Sequence, residues 1–348
     1  MSCRIRRGCA ATRTARRPAD RGSHARQGAF RLAAALAVAL AAGGCLSTEE
    51  RNRLISHQVS SKAFYDAGEF ARCEDQCRRG LEIDDDPTLQ LTLGFVLMRQ
   101  ADERKLAEAV AVFESMSADD WRVDLGLGMA LQQLARLEAA RAADANQRLS
   151  AGQRADLAAA EAEHRADARD ALERAAVAAG ENAPADVSFH LALLDLEEKK
   201  HDEFVVHAED AFARLAEAEK VARAQLAQPM AQMMRERTLA DSAMAAERGQ
   251  RLCRELAILS WNRGDFSQAS AAMTRLEQFG SLDRADYFSR GAVREKLGDD
   301  EKAVLDYEKF IELSSGVFDE TVGKAVTALT RVRARLAEKR TATPAGGS

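Results

Sequence analysis

Cys73 and Cys77 stand four residues apart, so on a helix their thiols would share one face. Two such groups could form a redox pair or half of a metal site. No His or Cys elsewhere stands at the spacing that would complete a zinc centre. The reading adopted is therefore two small buried thiols on a core face. Of the other cysteines, Cys3, Cys9 and Cys45 are N-terminal and Cys253 is isolated. The six histidines (His24, His57, His164, His190, His201, His207) contain no HExxH pair. Asp84-Asp85-Asp86 lacks the Gly and the closing Glu of a calcium loop. There is no Gly-rich phosphate loop, no GxSxG and no credible Ser/His/Asp order. The abundant Glu and Asp fall on amphipathic stretches, where they are the solvated face. The sequence thus predicts a protein that is not an enzyme and needs no cofactor or metal.

Cys45 carries a different chemistry. Residues 1–31 are Arg-rich, residues 32–42 (LAAALAVALAA) are apolar and uncharged, and Gly43-Gly44-Cys45 follows. This is the order of a secretory signal, and the apolar run is shorter than the roughly 20 residues of a spanning helix. Ala42-Gly43-Gly44-Cys45 resembles the bacterial lipoprotein signal, although Ala42 stands where that signal usually has Leu. The resemblance implies cleavage after residue 44 and acylation of Cys45. The chain would then be lipid-anchored in the bacterial envelope, facing the periplasm, with the outer membrane as the expected site. An ordinary cleaved signal with an incidental cysteine is the alternative. Residues 45–53, polar after Leu46, are expected to be a lipid-linked tether.

The 348 residues carry a net charge of −5, yet residues 1–44 hold nine Arg and one acid. The remainder has 41 Lys or Arg against 54 Asp or Glu. Such a body should repel nucleic acid rather than gather it. Only 5 residues are Pro and 5% are aromatic, and the chain is rich in Ala, Leu, Glu and Arg, the strong helix formers. Few stretches alternate with period 2, so almost no sheet is expected.

The positioning elements are clearest in residues 283–315, a helix with Gly291, a breaker at Gly298 and a second helix with Ala303 and Tyr307. Ala257, Gly264 and Ala269 stand 34 residues before Gly291, Gly298 and Ala303. A helix–turn–helix at this period resembles the tetratricopeptide repeat (TPR). The same grammar extends back to Leu54. Ser61, Phe64, Gly68, Cys73 and Cys77 form a first repeat. Leu93-Gly94, Leu97, Ala109 and Phe113 form a second, whose turn is read as holding three extra residues. Leu127-Gly128 with Ala171 and Ala175 forms a third, and Leu191-Ala192, His201, Phe204, Ala208 and Ala211 a fourth. Two surplus lengths remain, and each is read as a lengthened helical hairpin, near residues 131–179 and 213–262. A degenerate extra repeat around Pro229 is the alternative for the second. The first surplus falls within a repeat and the second across a repeat boundary, so the hairpins should project from opposite edges. Residues 317–340 read as a capping helix, which repeat arrays need, and 341–348 as a disordered tail. The expected fold is all-α, a TPR-type solenoid of about six repeats over 54–316, with two elongated hairpins and a C-terminal capping helix.

The resemblance further implies that the first helix of each repeat lines a concave groove where a protein or peptide partner binds. Aligned that way, the groove would hold Tyr65, Phe95, Met98, Phe189, Arg254, Trp261 and Phe288. Aromatic residues, Met and Arg are the types enriched at contact hot spots. The expected function is a membrane-anchored scaffold in envelope assembly, secretion or uptake. A coiled-coil spacer without a groove ligand and a cell-wall-associated regulator or enzyme are the alternatives.

Overall fold

A computed structural model describes residues 46–117, 120–144, 146–316 and 319–342. The leader and Cys45 lie outside the described residues, as do residues 343–348 of the tail. The chain divides into residues 1–55 and a compact unit from Ser56 onward. In the first unit the described residues begin helix α1 (Thr48–Asp66). The stretch expected to be a tether is thus helical from Thr48. The cause is a capping box: the Ser47 amide donates to Glu50 Oε2 (2.8 Å) and the Glu50 amide to Ser47 Oγ (3.2 Å).

The remaining helices are α2 (Phe70–Leu81), α3 (Pro87–Arg99), α4 (Glu103–Ser115), α5 (Trp121–Ala143), α6 (Ala151–Ala179), α7 (Ala185–Glu197), α8 (His201–Leu226), α9 (Gln232–Asn262), α10 (Phe266–Leu276), α11 (Arg284–Leu297), α12 (Asp300–Leu313) and α13 (Glu320–Ala342). There is no strand among the described residues. Successive helices pair into a TPR-type solenoid, α3/α4 through α11/α12, closed by α13, and side-chain hydrogen bonds join α1 to α2 (His57 with Gln76, Cys73 with the Ser61 carbonyl). Aspartates cap many of the starts. Asp86 accepts from the Leu89 amide, with Pro87 at the first helical position where its missing N–H costs nothing. Asp265, Asp283 and Asp299 cap α10, α11 and α12 in the same way.

In five of the six pairs the turn places one described residue in the left-handed region. Gly68, Gly264 and Gly298 supply it with φ of 73°, 76° and 76°. Ala101 (φ 52°) and Lys199 (φ 60°) occupy the same place in the second and fourth pairs. The second repeat therefore has no enlarged turn. It holds no extra residues: Leu106 is buried five residues after Ala101, as Ala303 is five after Gly298.

The glycines of the odd-numbered helices admit bulky neighbours. A Cβ on Gly94 would lie 2.5 Å from the Phe113 ring, one on Gly128 2.6 Å from Leu172 Cγ, and one on Gly291 3.0 Å from the Tyr307 ring. Gly126 receives Phe113 from the other side, where a Cβ would again collide with the ring. These contacts let α4 sit close to both α3 and α5.

Two hairpins are elongated. Helices α5 and α6 have 23 and 29 residues, and α8 and α9 have 26 and 31, against 11 to 14 in α2, α3, α4, α7, α10, α11 and α12. No extra repeat surrounds Pro229, because α8 and α9 pack on each other directly. The helices alternate in direction, so odd-to-even connections share one edge and even-to-odd connections the other. The α5–α6 turn and the α8–α9 turn therefore sit on opposite edges. At the base of the first hairpin Ala168, Ala171, Leu172 and Ala175 are buried against Leu125 and Leu131. Farther out, Ala140, Ala143 and Ala158 are exposed.

Candidate functional site

The odd-numbered helices line one face, and that face carries two open cavities. The N-terminal one, about 580 Å³, is lined by α1 (Gln58, Val59, Lys62, Tyr65), α3 (Thr88, Leu91, Thr92, Phe95), Arg122 of α5 and Arg237 of α9. The C-terminal one, about 1020 Å³, is formed by Trp261 of α9, by Phe288, Ala292, Glu295 and Lys296 of α11, by Tyr307 of α12, and by α13 from Glu320 to Arg335.

Each cavity aromatic on an odd helix rests against an aromatic of the following even helix. Tyr65 meets Phe70 at 6.0 Å between ring centroids, Phe95 meets Phe113 at 5.4 Å, Trp261 meets Phe266 at 5.2 Å and Phe288 meets Phe310 at 5.3 Å. The first three are edge-on contacts, which suit the ring quadrupoles. The even helix thus fixes the rotamer of the groove residue and leaves its other face toward solvent. Such rigid, half-exposed rings are suited to anchoring a partner at small entropic cost.

Of the seven groove residues expected from sequence, Tyr65 and Phe95 share the N-terminal cavity, and Trp261 and Phe288 the C-terminal one. Met98 and Phe189 do not reach the groove. They are 4% and 5% exposed, and Phe189 belongs to the core between α7, α8, α9 and α10. Both helices bury most of their circumference, so alignment to the inner face does not make a residue accessible there. Arg254 is engaged within the fold: it donates to Asp286 (2.9 and 2.7 Å) and Asp283 (3.0 Å), tying α9 to the capped start of α11.

Sequence reasoning missed the cations around these aromatics. In the C-terminal cavity Glu295 accepts from Arg331 (2.7 Å), Arg335 (3.1 Å) and the Tyr307 hydroxyl (2.9 Å). Burial disfavours its charge, but these donors outweigh that and hold the carboxyl below its usual range. Burial, and then the same carboxylate, push the Tyr307 hydroxyl well up. This network fastens α13 to α11 and α12. Lys296 has no ion-pair partner among the described residues and faces the same cavity.

The thiols take no part. Cys73, Cys77 and Cys253 are free and buried. Cys73 donates to the Ser61 carbonyl at 3.0 Å. Its neighbour and burial push the Cys77 thiol up, and burial pushes Cys253 up to about 12. Cys77 and Cys253 are thus not poised as thiolates at neutral pH, whereas the hydrogen bond with Cys77 holds the Cys73 thiol below its usual value. Among the described residues no cluster of His, Cys, Asp and Glu is arranged to hold a metal ion. No described helix is long and apolar enough to cross a membrane.

No protein-family model matches the sequence, and no curated protein matches it. Among solved structures, PilF of Pseudomonas aeruginosa is 13% identical over 83% of this chain and 100% of its own, with a TM-score of 0.49. PilW, described as a widely conserved type IV pilus biogenesis factor, is 10% identical over 80% of this chain and 99% of its own, with a TM-score of 0.49. TTC0263, a thermophilic TPR protein of Thermus thermophilus, is 11% identical over 81% and 99%, with a TM-score of 0.31. The chain's own paired helices, recurring left-handed turn residue and closing helix make it a TPR-type solenoid.

Proposed function

We propose that the chain is a membrane-anchored periplasmic scaffold whose inner face binds a segment of a protein partner in envelope assembly, secretion or uptake. The observation that carries the binding role is the pair of open cavities, each floored by aromatics that an even helix holds in place. Rigid aromatic anchors in concave sites are where contact energy concentrates. No chemistry beyond binding is assigned, and the scaffold is read as non-enzymatic. Anchoring rests on the sequence of the leader: acyl chains on Cys45 would hold the protein to a bilayer by about 0.8 kcal/mol per buried CH₂.

The binding role is tested by affinity capture from envelope extract with the wild type, Phe95→Ala and Trp261→Ala. A discrete partner that is lost with either variant supports it. A partner captured equally by all three would favour the elongated hairpins as the working surface, the spacer reading. Anchoring is tested separately: Cys45→Ala should abolish labelling with palmitate and release the protein from membranes. Labelling that survives the substitution would refute the lipoprotein assignment.

A further inference from the structure

We propose that the N-terminal cavity is the docking site of an acidic protein segment carrying an apolar anchor, and that the second hairpin completes the site. This rests on the inner face being a partner surface. The cavity floor is Tyr65, Leu91 and Phe95, and its rim carries Lys62, Arg122 and Arg237. The three cations come from three helices, and the lining holds no carboxylate.

Each cation has an acid of its own, but always a near neighbour in sequence that stands outside the lining. Lys62 pairs with Asp66 at 3.1 Å, Arg122 with Asp120 at 2.6 Å and Arg237 with Asp241 at only 4.0 Å. Both partners are substantially exposed in all three pairs, and exposed pairs contribute little. A ligand carboxylate can therefore take over these donors cheaply. It would do so next to an apolar floor, where a bound apolar anchor displaces water and a charge pair strengthens. Val59, 65% exposed beside that floor, adds apolar surface that nothing in the fold covers.

A basic segment would meet three like charges. Nucleic acid would meet the acidic excess of the chain beyond residue 44, which acts at longer range than the local rim. A short acidic segment with a Leu, Phe or Trp side chain satisfies both rim and floor.

Arg237 is the unexpected member. It lies on α9, in the part of the second hairpin beyond the body of the array, and 142 residues after Phe95. The hairpin turn between α8 and α9 lies on the edge where α3 and α5 begin, which brings Arg237 beside Thr88 and Arg122. The hairpin is thus part of the recognition surface.

A displayed library of random twelve-residue segments is selected against the full chain. The strongest binders are then synthesised with a fluorophore and titrated by anisotropy. The expected binders are acidic and carry a large apolar residue. Phe95→Ala, Lys62→Glu and Arg237→Glu should each weaken them by about tenfold or more, while Arg237→Lys retains binding and added salt reduces it. Unchanged helical melting curves would establish that the variants remain folded. Neutral or basic binders that are lost with Phe95→Ala overturn the acidic ligand but leave the partner surface standing. Acidic binders lost with Phe95→Ala yet indifferent to Arg237→Glu overturn the role of the hairpin. An oligonucleotide that displaces the segments from wild type overturns the ligand class. Absence of binders, or binders indifferent to both Phe95→Ala and Trp261→Ala, overturns this site and the partner surface together.

Discussion

His190 illustrates how one residue's surroundings set a property of the fold. Its ring is buried, with Nδ1 2.8 Å from Gln132 Oε1, linking α7 to α5. Burial, reinforced by Arg248, Arg136 and Arg251, lowers its pKa from 6.5 to about 3. The ring is neutral in the folded protein and accepts a proton in the unfolded chain near pH 6.5. The unfolded state therefore binds more protons below that pH, and stability is lost as pH falls from 6.5 toward 3. Glu74 behaves similarly but lower: burial opposes its charge, while Lys105, Gln100 and Arg78 donate to it and bring it to about 2. Its contribution fades only below its unfolded value near 4.5. Between pH 6 and 5, urea unfolding should show His190 contributing a slope of up to about 1.4 kcal/mol per pH unit. His190→Gln should flatten that slope, and equal slopes in wild type and variant would contradict the assignment.

At the scale of elements, spacing is set by small residues facing large ones. The contact of Gly94 with Phe113 leaves no room for a side chain. Gly94→Leu should therefore cost about 1–3 kcal/mol by overpacking, read as a lower urea midpoint with an unchanged slope. An unchanged midpoint would show that α3 and α4 are not in contact there. The sequence made this contact legible because small residues recur at one period. It misled at α4, where Ala109 looked like the small residue of the usual slot. In the fold Leu106 fills that slot and Ala109 is buried one turn later, because Gly94 and Gly126 together open space for the Phe113 ring. Met98 and Phe189 were misplaced for a related reason: an inner helix is covered on most of its sides, and periodicity does not say which.

On the scale of the whole array, the last pair depends on α13. Ala325, Ala328, Leu329 and Val332 cover Tyr307 and Phe310. Arg335 (2.7 Å) and Lys339 (2.6 Å) both reach Asp300, which Arg335 first and then Lys339 hold below its usual range. Burying Leu329 and Val332 is worth about 1.5–3 kcal/mol each, and in a repeat array such terms act between nearest neighbours. A chain ended after Gly316 should lose several kcal/mol and bind a hydrophobic dye near its C-terminus. A truncated chain that melts as wild type and stays dye-silent would show that α13 is dispensable.

The amino-acid sequence determined the helical class, the paired repeats, the turn glycines, the long hairpins and the closing helix. All of these follow from local propensity and from spacing along the chain. Four of the cavity aromatics were readable from the aligned repeats, since Tyr65, Phe95, Trp261 and Phe288 stand three before, one after or four after the small residue of their helix, positions that share one helix face. Only the tertiary structure decided which inner residues stay open, because that depends on what the neighbouring helices cover. It alone brought Arg237 to Lys62 and Arg122, and Arg331 and Arg335 to Glu295. No sequence period links these groups. Their meeting is set by where a hairpin and a capping helix come to lie in space, and so is the charge that a partner would meet.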